Sequence, residues 1–487
     1  MKRRILVANR GEIAARIFQG IYERGDIPVA LAGPGDETAR HTWFATEVFP
    51  VSSYLAIPEI TEICVRGKID FVHPGYGFLS ERASFIRSLD QAKIGFIGPR
   101  ADSVEALGDK INAKKIAEKA QVPTLPWGIV APGSDLKSIA KKVGFPLLLK
   151  AAAGGGGKGM RLCESLDDLE SLAESASREA LSAFGDGSLF LEKKLVNPRH
   201  IEVQVFGDGE GGGVHLYERD CSLQRRNQKV IEEARATNLR EETRKILFEA
   251  SLRLVKEVNY RSAGTLEFLV DQEENVFFLE MNTRLQVEHT VTESVTGIDL
   301  VHAQLALAQD PNHFPIHSPV TCQGHSIEAR IYAEDPALGF APTPGPAVFL
   351  KWPQGTGIRV EAGVEEGQSI SMNYDAMCGK IIVSAEDRLT AIARLRYALS
   401  HTLIAGFKTN LPYLLKICEL PAFLSGTHHI GTLTAEHDAL IEIKISSQTQ
   451  EWLVSSNQYR NSKESLLDLD SVASPSSAWN SFSGKVN

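Results

Sequence analysis

Over the first hundred residues, short apolar runs alternate with segments whose apolar residues recur at helical spacing. The apolar runs typical of buried strands cover 4–8, 28–32, 69–73 and 94–97, and the helical segments cover 12–23 and 57–66. Strands that alternate with helices at this spacing form parallel sheets with helices on both faces. The pattern therefore predicts an N-terminal α/β unit with a doubly wound parallel sheet.

Two further units follow along the chain. The second contains a helix, a strand, a glycine tract, a helix and a strand, and the third is strand-rich with antiparallel pairing expected. The last 47 residues contain 12 serines and little periodic apolar pattern, as linkers do. The predicted units are 1–108, a Rossmann-like domain; 109–195, a linker helix and glycine-rich domain; 196–440, a larger mixed-sheet α+β domain; and 441–487, a tail or linker.

The composition restricts the class of protein. The 487 residues are 43% hydrophobic and 23% charged, and no apolar run approaches the roughly 20 residues of a membrane span. The formal charge of −9 argues against general nucleic-acid binding. The six cysteines form no CxxC pair, and the N-terminus lacks the apolar core of a signal peptide. We therefore expect a cytoplasmic protein that binds neither nucleic acid nor membrane.

A glycine tract at 154–159 follows a predicted strand that ends at Lys150. Its glycines satisfy G-x-G-x-x-G, but the residues after it continue as a strand, whereas a dinucleotide site needs a helix there. The Walker pattern also fails, because no Lys-Ser/Thr follows at the right spacing. Bare backbone N–H groups between Lys150 and Lys158 predict a hairpin that closes over phosphates. A flexible surface hairpin is the alternative.

Two glutamates are predicted to face each other in a hairpin. If the strands 264–270 and 276–281 form a hairpin symmetric about residues 273 and 274, Glu267 lies directly opposite Glu280. Their Cβ atoms would then be about 5 Å apart. Two unscreened carboxylates at that distance repel each other, and a cation between them removes the repulsion. Oxygen ligands without nearby Cys or His favour Mg²⁺ or Mn²⁺.

Polar residues continue at period two after Glu280. Asn282, Arg284, Gln286 and Glu288 alternate with Met281, Thr283, Leu285 and Val287, so an extended chain projects the polar set to one side. The solvated face of an edge strand would show the same alternation. A cross-strand carboxylate pair is unfavourable on a plain surface, however, so the pattern favours a site for an anionic substrate.

Several separate segments together resemble the biotin carboxylase family of the ATP-grasp fold, over roughly residues 2–440. The matching segments are 8–14 (ANRGEIA), 73–81 (HPGYGFLSE), the glycine tract, 197–202 (NPRHIE), 218–222 (ERDCS), 280–284 (EMNTR), 286–289 (QVEH) and 374–377 (YDAM). The resemblance implies a ligase that uses ATP and bicarbonate to carboxylate biotin held on a carrier protein. The unit 109–195 would then supply the ATP-grasp lid, and 196–440 the catalytic core and C-terminal domain.

The resemblance also implies roles for individual residues. Those that would bind ATP are Lys110, Lys150, Gly155, Gly156, Gly157, Glu192, Lys193, Leu195, His200, Gln224, Asn227 and Lys229. Mg²⁺ or Mn²⁺, with two ions expected, would be held by Glu267, Glu280 and Asn282. Bicarbonate would be held by Arg284, Gln286 and the Val287 backbone, with Glu288 as the general base. Arg359 would stabilise the biotin enolate, and Lys229 is counted with the catalytic residues.

The partners are expected to lie on other chains or in a portion absent from this one. No internal methionine adjoins a lysine, as a biotin attachment site requires, so a biotin carboxyl carrier protein and a carboxyltransferase are implied. The family also implies a homodimer. The final carboxyl acceptor stays open between acetyl-CoA, another acyl-CoA, pyruvate and urea, with an acyl-CoA carboxylase, as in fatty acid biosynthesis, expected.

The sequence departs from the family pattern at three places. Asn227 replaces a usual His near the ATP ribose, 232–237 (EEARAT) replaces a Pro-rich stretch, and 32–36 (AGPGD) replaces a Ser/Asp-rich loop. Another ATP-grasp ligase that makes an acyl-phosphate for an amine, and a degenerate regulatory subunit, are the alternative functions. A dinucleotide dehydrogenase is disfavoured because its fingerprint lacks the required helix.

Overall fold

The computed structural model describes residues 2–130, 134–152 and 160–442. The N-terminal unit is built on a parallel sheet of five strands in the order β3-β2-β1-β4-β5. Its strands are β1 (Arg4–Val7), β2 (Ile27–Ala32), β3 (Glu47–Pro50), β4 (Phe71–His73) and β5 (Gly95–Phe96), and its helices are α1 (Gly11–Glu23), α2 (Ile57–Arg66), α3 (Ala83–Gln91) and α4 (Ala101–Gly108).

Strand β1 explains why this sheet is covered on both faces. Ile5 and Val7 pack into one hydrophobic cluster, and Leu6 and Ala8 pack into another. Successive side chains of a strand point to opposite faces, so a continuous apolar run requires helices on both sides. The predicted doubly wound parallel sheet is confirmed.

The second unit is a four-stranded antiparallel sheet in the order β6-β9-β7-β8. Its elements are α5 (Lys110–Lys119), β6 (Trp127–Val130), α6 (Leu136–Val143), β7 (Leu147–Ala151), β8 (Met160–Cys163), α7 (Leu169–Phe184) and β9 (Leu189–Lys193). Gly155, Gly156 and Gly157, for which we predict phosphate binding, lie outside the described residues, as does the tail from residue 443.

The third unit contains an eight-stranded sheet in the order β14-β13-β10-β11-β12-β15-β22-β20. Its first elements are β10 (Arg199–Asp208), β11 (Gly213–Arg225), β12 (Gln228–Ala234), α8 (Glu241–Glu257), β13 (Arg261–Val270), β14 (Val276–Asn282), α9 (His289–Thr296), α10 (Leu300–Gln309) and β15 (His325–Tyr332). The short strands that follow are β16 (Glu334–Asp335), β17 (Ala341–Pro342), β18 (Gly345–Pro346) and β19 (Phe349–Lys351).

The remaining elements complete the sheet and cover its outer end. They are β20 (Ile358–Ala362), β21 (Ser369–Ile370), β22 (Met377–Ala385), α11 (Arg388–Ser400), β23 (Leu403–Ala405), α12 (Leu411–Ile417), α13 (Pro421–Ser425), α14 (Thr432–Ala435) and α15 (His437–Ile441). All strand pairs of the large sheet are antiparallel, so the expected mixed character is limited to one parallel bridge between Thr124 and Phe278. Among the described residues, every helix is too short or too polar to cross a bilayer.

Candidate active site

The hairpin of β13 and β14 places Glu267 directly opposite Glu280, as predicted. The symmetric hairpin from which we derived the pair is wrong at its turn, however, because Phe268 pairs with Phe278 there. The register shift leaves Leu279 as an extra residue on β14, which is a β-bulge. Without the bulge, Leu279 would face Glu267, so the bulge is what brings the two carboxylates together.

The two carboxylates differ in their partners. Glu267 Oε1 accepts hydrogen bonds from Asn282 Nδ2 and Gln286 Nε2, both at 2.9 Å, and His200 Nε2 lies 3.0 Å from Oε2. The Glu280 carboxylate accepts no hydrogen bond from the described residues, and this residue is exposed. The surrounding protein displaces water from the Glu280 carboxylate, and this loss of hydration raises its pKa. The negative charge of Glu267 raises the pKa of Glu280 further. An unpartnered carboxylate opposite a second one fits a hard divalent cation, because the cation removes this repulsion.

The polar residues after Glu280 converge, although β14 ends at Asn282. Beyond that point the chain turns into α9, so the prediction of one continuous extended face is wrong past Asn282. Arg284 donates through Nη2 to Asn282 Oδ1 and through Nε to Glu81 Oε2, both at 2.9 Å. The side chain of Gln286 donates a hydrogen bond to Glu267. These side chains are therefore held together by hydrogen bonds and not by an extended strand.

Lys229 joins three carboxylates at the centre of the cluster. Its Nζ lies 2.5 Å from Glu202, 2.9 Å from Glu267 and 2.5 Å from Glu288. Burial lowers the pKa of Lys229, but these negative charges outweigh burial, so the pKa is well above its usual value. Lys229 is therefore a fixed cation, and it holds the predicted base Glu288 against the predicted metal ligand Glu267.

Arg330, which the sequence analysis missed, lies beside Glu288. Its Nη2 is 3.1 Å from Glu288 Oε2, and its Nε donates to Glu232 Oε1 at 2.6 Å.

Arg359, the arginine predicted from the sequence, instead binds Glu293 at 2.8 Å and also pairs with Glu361. The structure thus does not bring Arg359 to the Glu288 cluster. Strand β15 carries Arg330 into the sheet that holds Lys229, whereas Arg359 lies on the outermost strand, β20.

A signal for Arg330 was present in the sequence. Glu328 and Arg330 alternate with Ile327, Ala329 and Ile331 on β15, and every residue of this strand is buried. Charged residues at period two on a buried strand have to be paired, so the segment indicates a polar site.

Two further buried cations hold the loop that carries Gln286 and Glu288. Arg219 is fully buried and donates to Gln286 Oε1 at 3.0 Å and to Gln204 Oε1 at 2.8 Å. Lys380 is also fully buried, and its Nζ donates to the Val287 carbonyl oxygen. The backbone at Val287, for which we predict bicarbonate binding, is therefore tied directly to β22.

Three lysines gather around the buried carboxylate of Glu192. Lys150 pairs with Glu192, and Lys114, which the sequence analysis also missed, pairs with the other oxygen of the same carboxylate. Lys110 lies one helical turn before Lys114 on α5. Burial lowers the pKa of Lys110, while the charge of Glu280 opposes that effect. Lys110 thus lies within electrostatic reach of both Glu280 and Glu192, and this group of cations favours a phosphate-rich ligand beside the acidic hairpin.

The other predicted ATP-binding residues lie on β9, β10 and β11 and in the segments that follow β9 and β11. Gln224 Nε2 is 2.6 Å from His200 Nδ1. Burial lowers the pKa of His200, but Glu267 outweighs burial and the net shift is upward. Lys193 ends β9 with its Nζ on the Phe145 carbonyl oxygen, and the half-buried Leu195 follows. Asn227 is exposed in the two-residue turn between β11 and β12.

Lysines around Glu192 and a carboxylate pair on the large sheet suit an enzyme that binds a phosphate-rich nucleotide and a divalent cation. Three family models match: "Biotin carboxylase, N-terminal domain" at 1–104, "Carbamoyl-phosphate synthase L chain, ATP binding domain" at 109–312, and "Biotin carboxylase C-terminal domain" at 328–435. The chain is 44% identical over 452 residues to the biotin carboxylase of Halalkalibacterium halodurans, covering 90% of this chain and 100% of the relative.

Longer relatives and solved structures are also similar to this chain and point to the same family. The mitochondrial methylcrotonoyl-CoA carboxylase subunit alpha of Dictyostelium discoideum is 40% identical, over 99% of this chain and 70% of the relative. A structure of the biotin carboxylase domain dimer of Hydrogenobacter thermophilus 2-oxoglutarate carboxylase, with MgADP, ADP and bicarbonate, has a TM-score of 0.87. It is 41% identical and covers 91% of this chain and 100% of that one. The chain belongs to the biotin carboxylase family.

This membership confirms the predicted fold, enzyme class and cofactors. Biotin carboxylases are ligases that use ATP, bicarbonate and Mg²⁺ to carboxylate biotin held on a carrier. The chain spans only 39% of pyruvate carboxylase 1 of Caenorhabditis elegans, so the reaction of such a complete enzyme extends beyond this chain.

Proposed function

We propose that the cluster around Lys229 performs the first half-reaction of a biotin-dependent carboxylase. The observation that carries this proposal is the position of Glu288. Its carboxylate is held between Lys229 and Arg330, next to the Gln286 and Glu267 side chains. A base, an anion-binding arginine and a candidate metal ligand are thus within one connected hydrogen-bond network, as phosphoryl transfer to a small oxyanion requires.

ATP would lie between the lysines and the acidic hairpin. We assign its phosphates to Lys110, Lys150 and His200, with Gln224 beside them, and its adenine to the hinge of Glu192, Lys193 and Leu195. Glu267, Glu280 and Asn282 would hold Mg²⁺ or Mn²⁺, which neutralises phosphate charge when bound.

Bicarbonate would be held by Arg284, Gln286 and the Val287 backbone. One bicarbonate oxygen attacks the γ-phosphorus, the bond to ADP breaks, and Glu288 accepts the bicarbonate proton. Lys229, Arg330 and Arg219 outweigh burial and lower the pKa of Glu288, so this carboxylate is ionised and is a weak base. Arg284 must therefore help to acidify the bound bicarbonate.

The product, carboxyphosphate, breaks into CO₂ and phosphate. The phosphate takes the proton of the biotin ureido nitrogen, and that nitrogen then attacks CO₂. We propose Arg330 for the stabilisation of the biotin enolate, in place of Arg359, because its guanidinium is the one beside Glu288.

The partners remain those implied by the family. We propose a biotin carboxyl carrier protein and a carboxyltransferase outside this chain, with an acyl-CoA as final acceptor. The methylcrotonoyl-CoA carboxylase relative supports an acyl-CoA. The six free cysteines support a reducing compartment such as the cytoplasm.

We also propose that the face around α1 forms a homodimer. Tyr22, Trp43 and Phe44 are exposed there and line a cavity of about 840 Å³, which Arg359 also borders. Exposed aromatic rings beside a cavity are typical of protein interfaces, and the Hydrogenobacter relative crystallised as a dimer. In sedimentation velocity, Trp43→Ser should shift the chain towards monomer, while Leu389→Ser, at another exposed site, should not.

One assay tests the catalytic proposal directly. The full chain should cleave ATP in the presence of bicarbonate, and free biotin should stimulate the cleavage. ATP cleavage that needs an amine acceptor instead of bicarbonate would identify another ATP-grasp ligase. No ATP cleavage under either condition would indicate a degenerate subunit. Capture of biotinylated proteins on the tagged chain would identify the carrier.

A further inference from the structure

The buried carboxylate of Glu192 is shared between two lysines from different elements. Glu192 lies on β9 and is 1% exposed, Lys114 lies on α5 and is 3% exposed, and Lys150 lies on β7 and is 8% exposed. Lys114 contacts Oε1 and Lys150 contacts Oε2. Burial raises the pKa of Glu192, but the two ammonium charges outweigh it and the net shift is downward.

Lys150 therefore has two competing partners. In this structure it is held by Glu192, whereas the proposed reaction needs its ammonium group on an ATP phosphate. If Lys150 were the sole counter-charge of Glu192, its movement to the phosphate would leave a carboxylate buried without a partner. Removing one partner of a buried ion pair is strongly unfavourable, so that cost would oppose nucleotide binding.

Lys114 removes this conflict. It stays on Glu192 when Lys150 leaves, because it reaches the other carboxylate oxygen from α5. Lys110, four residues earlier on the same helix, lies within electrostatic reach of Glu280. Helix α5 thus directs one lysine to the hinge carboxylate and another towards the acidic hairpin.

We propose that Lys114 is a positioning residue for nucleotide binding: it keeps Glu192 paired and thereby frees Lys150 to bind the phosphates of ATP. This inference rests on the proposed role of Lys150 in ATP binding. Lys114 itself touches no reacting atom in the proposal.

The test compares nucleotide affinity with bicarbonate dependence in the full chain. Lys114→Met should weaken binding of ATP about tenfold, measured by calorimetry, because Glu192 then depends on Lys150 alone. The KM for bicarbonate should stay within about twofold, because Glu192 lies away from the Glu288 cluster. Lys114→Arg should preserve ATP affinity. Lys119→Met, which removes an exposed lysine of the same helix, should change neither quantity.

The decisive test combines Lys114→Met with Glu192→Gln in a double variant. Adding Lys114→Met to Glu192→Gln should leave ATP affinity unchanged relative to Glu192→Gln alone, because the amide carries no buried charge that needs Lys114. Both variants of this comparison lack the Glu192 carboxylate, so its own contribution to adenine binding drops out. Lys114→Gln, which removes the ammonium group but keeps a polar side chain, replaces Lys114→Met if that variant does not fold.

Three results would overturn the inference: unchanged ATP affinity in Lys114→Met, equal losses for ATP and bicarbonate, or the same loss of ATP affinity when Lys114→Met is added to Glu192→Gln. A wild-type chain that binds ATP but does not carboxylate biotin would refute the proposed function instead, and the affinity comparison would still decide the role of Lys114.

Discussion

Arg330 on β15 and Glu288 at the start of α9 form a buried ion pair, with Nη2 and Oε2 3.1 Å apart. The same carboxylate is bound on its other oxygen by Lys229 at 2.5 Å. Glu288 is thus held by two cations from neighbouring strands of the large sheet.

Glu288→Gln should abolish the proposed base without removing the side chain. We expect biotin-dependent ATP cleavage to fall by about 100-fold or more, because the amide cannot accept the bicarbonate proton. Calorimetric binding of ATP should be retained. The exposed Glu242→Gln is the matched control, and an active Glu288→Gln would exclude this residue as the base.

Arg330→Met and Arg359→Met separate the two candidate arginines. We expect Arg330→Met to lower biotin carboxylation by about 100-fold, because it removes the guanidinium group beside Glu288. Arg359→Met should keep activity within about threefold at a protein concentration that maintains the oligomer, since it pairs with Glu293 and Glu361. A larger loss of activity in Arg359→Met than in Arg330→Met would instead support Arg359 as the residue that stabilises the biotin enolate.

Glu280→Gln should weaken the binding of the divalent metal ion. We expect the Mg²⁺ or Mn²⁺ concentration for half-maximal activity to rise about tenfold, because the variant loses a carboxylate that has no other partner among the described residues. Titration of activity with each metal at saturating ATP measures the shift. Glu273→Gln, at the exposed hairpin turn, is the control, and the same metal curve for both variants would contradict the assignment.

Asn227→His should lower the KM for ATP, because it adds a ring near the expected ribose position. Arg226 and Asn227 have φ values of 47° and 65° in a two-residue hairpin turn. Asn is favoured in that left-handed conformation, and His is also enriched there, so the fold should tolerate the change. No improvement in KM would show that Asn227 does not limit nucleotide binding.

Glu233→Gln should make the free energy of unfolding less dependent on pH in the acidic range. Burial raises the pKa of Glu233, but a hydrogen bond from His325 and the charges of Arg388 and His428 lower it to about 2. Because the folded pKa is depressed, this stabilisation is present above about pH 4.5 and is lost as the pH falls through 2.

The difference in unfolding free energy between wild type and Glu233→Gln should therefore be about 3 kcal/mol near neutral pH and should shrink below pH 4.5. Denaturant unfolding at a series of pH values measures it. A difference independent of pH would mean that Glu233 acts through packing and not through its charge.

Local patterns predicted much of the fold and part of the site. The alternating runs of the first hundred residues predicted the parallel sheet, because strand and helix periodicity is encoded within a few residues. The positions of two strands also predicted the opposition of Glu267 and Glu280, but from a symmetric turn that the structure does not have. The bulge at Leu279 was not foreseeable, because register depends on packing of both strands against the rest of the sheet.

By itself, the sequence determined the class of fold, the acidic hairpin and the residue types from which a phosphoryl-transfer site is built. Only the tertiary structure decided which cations complete it. Arg330 and Lys114 are distant in sequence from Glu288 and Glu192, and they meet them through sheet order and helix packing. The physical reason is that a buried charge must find its partner in space, whereas periodicity reports only on neighbours along the chain.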